Sequence, residues 1–364
     1  MPTPVRPNVV RMIPYQPGKP IATVKRELGL KKVSKLASNE NPFGPSPKAL
    51  AAIRDSMDEL NRYPDATAFE LRNALSVRFG IPMSQVAVGN GSEELIANLA
   101  LALIDDLDNE VLTSEHSFPR YDAAADLAPC VLRKVPLDSS WRFDLTALAA
   151  AVTERTRIIY IANPNNPTGT IVTREQVDEF LATIPDSVLV VFDEAYFEFA
   201  RRNVDYPDAR EYVLKGRNVA ALRTFSKAHG LAGIRVGYGF VPEYLAEALN
   251  QVRAPFDLNS LAQAAGLAAL GDDAHVRKTV DNNAEGLALL ELAFQREGCS
   301  VTKSWANFHF VDLGRPAKPV FEALLKLGLI VRPIPSAPNH IRVTVGTPDE
   351  NLAFISAFRS VMGA

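Results

Sequence analysis

Val188-Leu189-Val190-Val191-Phe192-Asp193-Glu194 joins five apolar residues to two acids. A short apolar run of this kind, rich in β-branched residues, is typical of a strand that is buried on both faces. Six more short runs alternate with segments of helical period between residues 85 and 241. They are residues 86–88, 110–113, 131–135, 158–162, 220–223 and 236–241. This alternation predicts an α/β fold with a mostly parallel, seven-stranded sheet between helices.

The pattern changes after Pro242, and this change suggests a division of the chain. Helices are predicted at residues 243–252 and 273–296, followed by strands at 308–311 and 341–345. A chain of 364 residues also exceeds the size at which a single core usually stops growing. We therefore predict a large domain over residues 46–255 and a smaller α+β domain over residues 256–364. Residues 1–45 are predicted to pack on the small domain or on a dimer partner.

The composition indicates an ordinary soluble protein, with 47% hydrophobic and 22% charged residues and a net charge of -3. This charge balance does not point to nucleic acid. Cys130 and Cys299 form no CxxC pair, so we predict neither a disulfide framework nor a zinc site. Such sparse use of cysteine also predicts a cytoplasmic location. The longest apolar stretch, residues 95–104, is too short to span a membrane. The five histidines show no metal-binding spacing, so no metal is assigned.

Polar residues follow four of the predicted strands, where ligands collect in open α/β sheets. The first group, residues 89–94, combines two glycines with the start of a helix, which suits a phosphate. The alternative is a plain strand-to-helix turn in which Ser92 is the N-cap. The group lacks the third glycine of the dinucleotide motif and the Gly-Lys ending of a P-loop, so neither motif is supported. A single phosphate is the candidate ligand that remains.

The other three groups offer an amide, an acid and an amine. Prolines flank paired asparagines in residues 163–169, which either form a tight loop or hold an amide against a ligand. Asp193 ends a buried strand, so it either caps a helix or meets a cation such as a protonated pyridine ring. Lys227 follows Ser226, and Arg235 could lower its pKa enough for imine formation, although a Ser-Lys pair is more often a surface feature.

Together the four groups are similar to the binding residues of fold-type I pyridoxal-phosphate (PLP) enzymes, in the aspartate-aminotransferase-like group. Within that group the chain resembles the histidinol-phosphate aminotransferases over nearly its whole length. The resemblance implies PLP held as a Schiff base on Lys227, with Asp193 at the pyridine nitrogen. It matches Tyr196 and Asn166 to partners of the phenolic oxygen and Phe118 to the ring stacked on the cofactor. The family's phosphate cup matches Gly91, Ser92, Glu93, Thr224, Ser226 and Arg235.

The same resemblance implies catalytic roles and a subunit arrangement. Lys227, Asp193 and Tyr196 are the expected catalytic residues, with Lys227 shuttling a proton as base and acid. Arg342 matches the arginine that holds the glutamate α-carboxylate. Tyr63 matches a tyrosine that reaches the cofactor phosphate of the other subunit, which implies a homodimer.

Two stretches, residues 14–20 and 36–44, are near-full matches to the histidinol-phosphate aminotransferases. In that family the residues matching Tyr15 and Arg332 help to hold the substrate phosphate, and Asn41 is also expected at the substrate. The implied reaction converts L-histidinol phosphate and 2-oxoglutarate reversibly into imidazole acetol phosphate and glutamate, a step of histidine biosynthesis.

Two departures from the family pattern leave other substrates open. Residues 115–118 replace a turn that usually begins with proline, and Asp257 stands where asparagine is common. Relatives of this family accept phenylalanine or tyrosine, so an aromatic aminotransferase is the main alternative. A PLP-dependent decarboxylase on the same scaffold is the second.

Overall fold

The computed structural model describes residues 4–12, 14 and 18–363. Its strands are Ser34–Lys35 (β1), Val86–Gly89 (β2), Glu110–Ser114 (β3), Val131–Val135 (β4), Thr156–Ala162 (β5), Leu189–Asp193 (β6), Val219–Thr224 (β7), Gly237–Phe240 (β8), Ser300–Thr302 (β9), Phe308–Asp312 (β10), Leu329–Ile330 (β11), Arg332–Pro333 (β12) and His340–Thr344 (β13).

The α-helices are Pro7–Arg11 (α1), Ile21–Leu28 (α2), Pro47–Asp55 (α3), Phe69–Phe79 (α4), Ser92–Leu103 (α5), Arg120–Leu127 (α6), Leu145–Ala151 (α7), Arg174–Thr183 (α8), Phe197–Ala200 (α9), Arg210–Leu214 (α10), Glu243–Val252 (α11), Ser260–Leu270 (α12), Asp273–Arg296 (α13), Ala317–Lys326 (α14) and Pro348–Met362 (α15). Met57–Glu59 and Met83–Gln85 are short 3-10 turns.

The largest sheet within the described residues has seven strands in the order β2-β8-β7-β6-β5-β3-β4. Strands β3 to β7 pair in parallel, as the alternation of apolar runs and helices predicted. β8 runs antiparallel to both of its neighbours, β2 and β7. Its direction follows from its connection, because residues 225–236 contain no crossover helix that could return the chain to the same end of the sheet. The predicted α/β class with a mostly parallel, seven-stranded sheet is confirmed.

A smaller antiparallel sheet, β12-β13-β10-β9, packs with α13, α14 and α15 around a separate apolar cluster. Leu290, Phe294, Phe354 and Phe358 are nearly inaccessible within it. Residues near the N-terminus join this part of the chain, because β1 pairs in parallel with β11. The helix α12, in contrast, contributes its buried residues to the core of the large sheet. The predicted boundaries at residues 45 and 255 stay a prediction.

A buried ion pair fixes the chain directly after β6. The Arg223 side chain is fully buried, and its guanidinium lies 2.8 Å from a Glu194 carboxylate oxygen and 2.6 Å from Asp208. The ring of Phe197 covers the same guanidinium at 3.3 Å. Burial raises the pKa of Glu194 to about 7, although Arg223 opposes that rise. Removing one partner of such a pair leaves a buried charge uncompensated, so these contacts hold the backbone beside Asp193 in one position.

Candidate active site

A cavity of about 370 Å³ opens at the carboxyl ends of β5, β6 and β7, within the size range of small-molecule sites. Eleven of the site residues predicted from the sequence line it. They are Ser92, Glu93, Phe118, Asn166, Asp193, Tyr196, Thr224, Ser226, Lys227, Arg235 and Arg342. The large sheet therefore gathers all of these residues except Arg342 as expected for an open α/β fold, because parallel strands end at a common edge.

Lys227 lies in the loop after β7 with its amine facing the cavity. Its Nζ donates a hydrogen bond to the Ser38 carbonyl at 3.4 Å and lies 5.8 Å from the centre of the Tyr196 ring. Burial lowers the pKa of Lys227 to about 8, and the positive charge of Arg342 adds to that effect. An appreciable fraction of the amine is therefore neutral near pH 7, as an amine that forms an imine must be.

Asp193 is the last residue of β6 and is only 5% exposed. One carboxylate oxygen accepts a hydrogen bond from the Tyr121 hydroxyl at 2.9 Å, and the other accepts one from the Ala195 N–H at 3.2 Å. Burial raises the pKa of Asp193 to about 6, while these two hydrogen bonds and Lys227 limit the rise. At neutral pH the carboxylate is mostly ionised in a poorly hydrated place, so it is prepared to bind a cation from the cavity.

The start of α5 forms one wall of the cavity and has the features of an anion site. Gly91 is the N-cap and has a φ of 87°, a conformation that glycine adopts without strain. A Cβ at this position would lie 2.3 Å from a guanidinium nitrogen of Arg235, so the close approach needs glycine. The Arg235 guanidinium also donates to the Ser226 hydroxyl at 3.5 Å. The helix N-terminus, this cation and the hydroxyls of Thr224 and Ser226 together suit a phosphate.

The prediction that Ser92 could be the N-cap of this helix is wrong. The helix begins at Ser92 itself, and Gly91 takes the cap position. The close packing of Arg235 against Gly91 requires glycine at this cap position. A capping box does occur before α8, where the Thr173 side chain accepts from the Gln176 N–H.

The far end of the cavity is formed by residues that are distant in sequence. Arg342, on β13, donates to the side-chain oxygen of Asn166 and, at 2.6 Å, to the Ala37 carbonyl. The side-chain amide of Asn39 donates to the Tyr196 hydroxyl at 2.8 Å. These bonds place a guanidinium, an amide and a phenol around one end of the cavity, where a carboxylate-bearing substrate would fit.

Four predicted residues, Gly91 among them, lie outside the lining of this cavity, and a fifth lies outside the described residues. Asn41 donates instead to the Ala228 carbonyl and to the Thr279 hydroxyl, both at 2.9 Å, and so anchors the loop beside Lys227. Arg332 is half-buried on β12, directly opposite Arg342 in the ladder. Tyr63 is 83% exposed and stacks on Phe256 with ring centres 4.6 Å apart. Tyr15 is the residue not described.

Sequence reasoning missed two groups that shape the site. Tyr121 follows Phe118 by three residues, across the turn that begins α6, so this spacing was a usable signal for it. Asn39 carries no local signal, because it reaches Tyr196 only through the fold. No helix of the described residues is long and apolar enough to cross a membrane. Among the same residues, no three His, Cys, Asp or Glu side chains form a candidate metal group.

Known proteins resemble this chain in sequence and in fold. The model of the family "Aminotransferase class I and II" matches residues 31–358. The chain is 48% identical to histidinol-phosphate aminotransferase 2 of Carboxydothermus hydrogenoformans, over 98% of this chain and 99% of that protein. It is 46% identical to histidinol-phosphate aminotransferase of Akkermansia muciniphila, over 98% of both chains. The crystal structure of histidinol-phosphate aminotransferase from Sinorhizobium meliloti with pyridoxal-5'-phosphate superposes with a TM-score of 0.91 at 28% identity, covering 100% of this chain and 98% of that one.

Proposed function

The chain belongs to the class I and II aminotransferases and is a PLP-dependent enzyme, and we propose that its amino donor is L-histidinol phosphate. The acceptor would be 2-oxoglutarate, and the products would be imidazole acetol phosphate and glutamate. The observation that carries this proposal is the near-full-length similarity, at 44–48% identity, to proteins of that name.

The residues of the cavity fit PLP. Lys227 would hold it covalently, Asp193 would pair with its ring nitrogen, and Phe118 would cover the ring. The start of α5 and Arg235 would hold its phosphate, and the close approach of the Arg235 guanidinium to Gly91, which only glycine permits, supports this assignment. Tyr196 and Asn166 would contact its phenolic oxygen. Bound PLP supplies an electron sink for the electron pair that a substrate carbon releases on deprotonation.

The side chains of this chain would then position the substrate and move its proton. The Lys227 amine, with a pKa of about 8, can take a proton from the substrate carbon as a base and return it as an acid near neutral pH. Asp193, ionised and nearly inaccessible to water, would hold a positive charge at the far side of the ring. Arg342 would bind the α-carboxylate of glutamate or 2-oxoglutarate through both guanidinium nitrogens, and Asn39 would keep the Tyr196 hydroxyl oriented.

Histidinol phosphate has no α-carboxylate, so its phosphate needs a cation. Arg332 and Arg342 are opposite residues of the antiparallel pair β12–β13, and side chains at opposite positions lie on the same face of a sheet. This arrangement supports a second anion site beside the first. We propose that Arg332 binds the substrate phosphate and that Tyr15 and Asn41 contribute to the same pocket.

The test compares kcat/KM for histidinol phosphate, phenylalanine and tyrosine, with 2-oxoglutarate as acceptor, in the wild type and in Arg332→Ala. We expect the wild type to prefer histidinol phosphate, and the variant to lose about 10- to 150-fold for that substrate alone, because charged hydrogen bonds contribute about 1.5–3 kcal/mol. Arg332→Lys should retain part of the rate, and Arg359→Ala, an exposed arginine on α15, should behave as the wild type.

Equal or faster rates with the aromatic amino acids, unchanged in Arg332→Ala, would identify an aromatic aminotransferase instead. Release of carbon dioxide with the amine retained on the product would identify a decarboxylase. Either result contradicts the proposed substrate while leaving the family intact.

We also propose that the protein is a homodimer in which Tyr63 enters the partner's active site. Tyr63 is 83% exposed, and Met57, Leu60 and Phe69 nearby are about half exposed, at 54%, 54% and 48%. Such a group of apolar side chains on one surface is typical of a subunit interface. The two sites of a twofold dimer would then each need residues of both chains.

Mixing two defective variants tests this arrangement. Tyr63→Ala and Lys227→Ala should each be impaired, and a refolded equal mixture should regain about a quarter of the wild-type activity, because a mixed twofold dimer has one site with both residues intact. Tyr244→Ala removes another exposed tyrosine and is the control. It should be active alone, and its mixture with Lys227→Ala should show only the activity that the Tyr244→Ala chains themselves contribute. Full activity of Tyr63→Ala, or no recovery on mixing, would contradict the shared site.

The domain boundaries and the cellular location are also proposals. We propose a large domain from about residue 46, and the core packing of α12 supports extending it from residue 255 to Leu270. A cytoplasmic location is proposed because Cys130 and Cys299 are both free thiols, as in a reducing compartment.

A further inference from the structure

A second cavity of about 420 Å³, here called the arginine cavity, shares no lining residue with the active site. It lies between the end of α4, the segment around α9 and the first turns of α13. Four arginines line it, and His229 and Glu198 also contribute. The arginines are Arg78, Arg201, Arg202 and Arg277.

The charge in this cavity differs in sign from that of the whole chain. Four arginines face only two acids, Glu198 and Asp273, although the chain carries a net charge of -3. Arg78 is paired with Asp273, and Arg202 lies 2.5 Å from Asp281. Arg201 and Arg277 have no carboxylate of the described residues within ion-pair distance. The four arginines outnumber the two acids, so the cavity keeps a net positive charge although Asp273 also attracts Arg201 and Arg277.

The buried end of the cavity contains an imidazole with an unused nitrogen. His229 is 6% exposed, and its ring packs on Phe225 with ring centres 4.9 Å apart. Its Nε2 lies 3.7 Å from a carboxylate oxygen of Glu198. Its Nδ1 is also buried, and it finds no hydrogen-bond partner among the described residues. This nitrogen is covered by protein and is not open to the cavity, so His229 forms part of the wall and the arginines are the donors that a ligand can reach.

We propose that the arginine cavity binds a small anion with two or more negative charges, held by Arg201 and Arg277. Guanidinium groups bind phosphate and carboxylate oxygens through paired hydrogen bonds, so phosphorylated metabolites and polycarboxylates share the required chemistry. The volume admits one such molecule. This site goes beyond the transamination proposed above and does not depend on it.

The position of the site gives it a direct connection to the catalytic loop. His229 is two residues after Lys227, and its carbonyl accepts a hydrogen bond from the Ser46 N–H at 3.2 Å. An anion in the cavity would therefore lie beside the same short segment that carries the proposed catalytic amine. Glu198, which faces His229, follows Tyr196 by two residues. Tyr196 lines the active site and Glu198 lines the arginine cavity, so this is a second segment that reaches both cavities.

The experiment titrates the PLP-loaded enzyme with pyrophosphate and, separately, with citrate, by calorimetry at low ionic strength. We expect saturable binding of at least one probe, weakened about tenfold by Arg201→Ala and about tenfold by Arg277→Ala, because one charged hydrogen bond contributes about 1.5 kcal/mol or more. Tighter binding of pyrophosphate would point to phosphorylated ligands, and tighter binding of citrate would point to polycarboxylates. Added salt should weaken the binding.

Arg296→Ala is the matched control, because Arg296 is an exposed arginine at the other end of the same helix, α13. It should bind both probes as the wild type does. All three variants replace exposed side chains, so unchanged thermal midpoints are expected and would exclude unfolding as a cause. Absence of binding by the wild type, or equal binding by the wild type and the Arg201→Ala/Arg277→Ala double variant, would overturn the proposal, since any anion then bound must occupy the active site.

Discussion

Lys227→Ala should lower kcat/KM by about 10⁴-fold or more, because the substitution removes the amine that we propose both to hold PLP covalently and to move the substrate proton. The variant should also lose the visible absorbance of lysine-bound PLP while its far-ultraviolet circular dichroism stays unchanged. Borohydride reduction followed by peptide mass analysis should find PLP on Lys227 in the wild type and on no peptide in the variant. Lys278→Ala, a lysine that packs on Phe43 outside the cavity, is the control.

The pKa of Lys227 gives this prediction a second readout. Since burial lowers that pKa to about 8, the neutral amine becomes more abundant as the pH rises towards 8. The rate at which PLP-free enzyme captures PLP should therefore rise about tenfold per pH unit below 8 and level off above it. An unchanged absorbance in Lys227→Ala, or a capture rate that does not depend on pH, would contradict the assignment of Lys227.

Asp193→Asn should lower kcat by about 10²- to 10⁴-fold with little change in the KM for the amino donor. The substitution keeps the shape of the side chain but removes a buried charge whose partner would be the ring nitrogen of PLP, and breaking such a pair costs about 3–5 kcal/mol. Steady-state kinetics at saturating PLP, with occupancy checked by absorbance, would measure the effect. A loss explained wholly by low occupancy would assign Asp193 to binding alone.

Tyr121→Phe provides a graded comparison for Asp193. It removes the hydroxyl that donates to Asp193 at 2.9 Å but leaves the carboxylate in place. The pKa of Asp193 should rise further without this hydrogen bond, so the loss of kcat should be smaller than in Asp193→Asn and greatest at low pH. Equal losses in the two variants would mean that packing, not charge, is the contribution of Asp193.

The elements of the large sheet could be predicted because their signal is local. Buried parallel strands are short apolar runs, and β6 is such a run from Leu189 to Phe192. The predicted bounds of α11 and α13 also coincide with the structure. The helix α12 was missed because Ser260–Leu270 is rich in alanine and shows no clear apolar stripe. The antiparallel direction of β8 depends on its connection and on its neighbours, which a local pattern does not contain.

The site residues also divide into those that the local sequence predicts and those whose contacts depend on residues far away in the chain. Lys227, Asp193 and Asn166 follow strands, so the sheet alone brings them to one edge, and the family resemblance then gives each a role. The contacts of Arg342 could not be read from local sequence, because Ala37 and Asn166 lie 305 and 176 residues away. Arg201 and Arg277 were not singled out for the same reason, since only the packing of α13 brings them into one cavity.

The parallel pairing of β1 with β11 has a consequence for synthesis on the ribosome. A nascent chain emerges from its N-terminal end, and units with nearby contacts complete first. The seven strands from β2 to β8 end at Phe240, so Lys227 and Asp193 can be gathered while the later third of the chain is still being made. The pairing of Ser34 with Leu329 and the hydrogen bond from Asn39 to Thr344 can form only after the later residues have been made. The nascent protein therefore gathers the strand-end residues proposed to hold the cofactor before it has acquired Arg342, the residue proposed to bind its substrates.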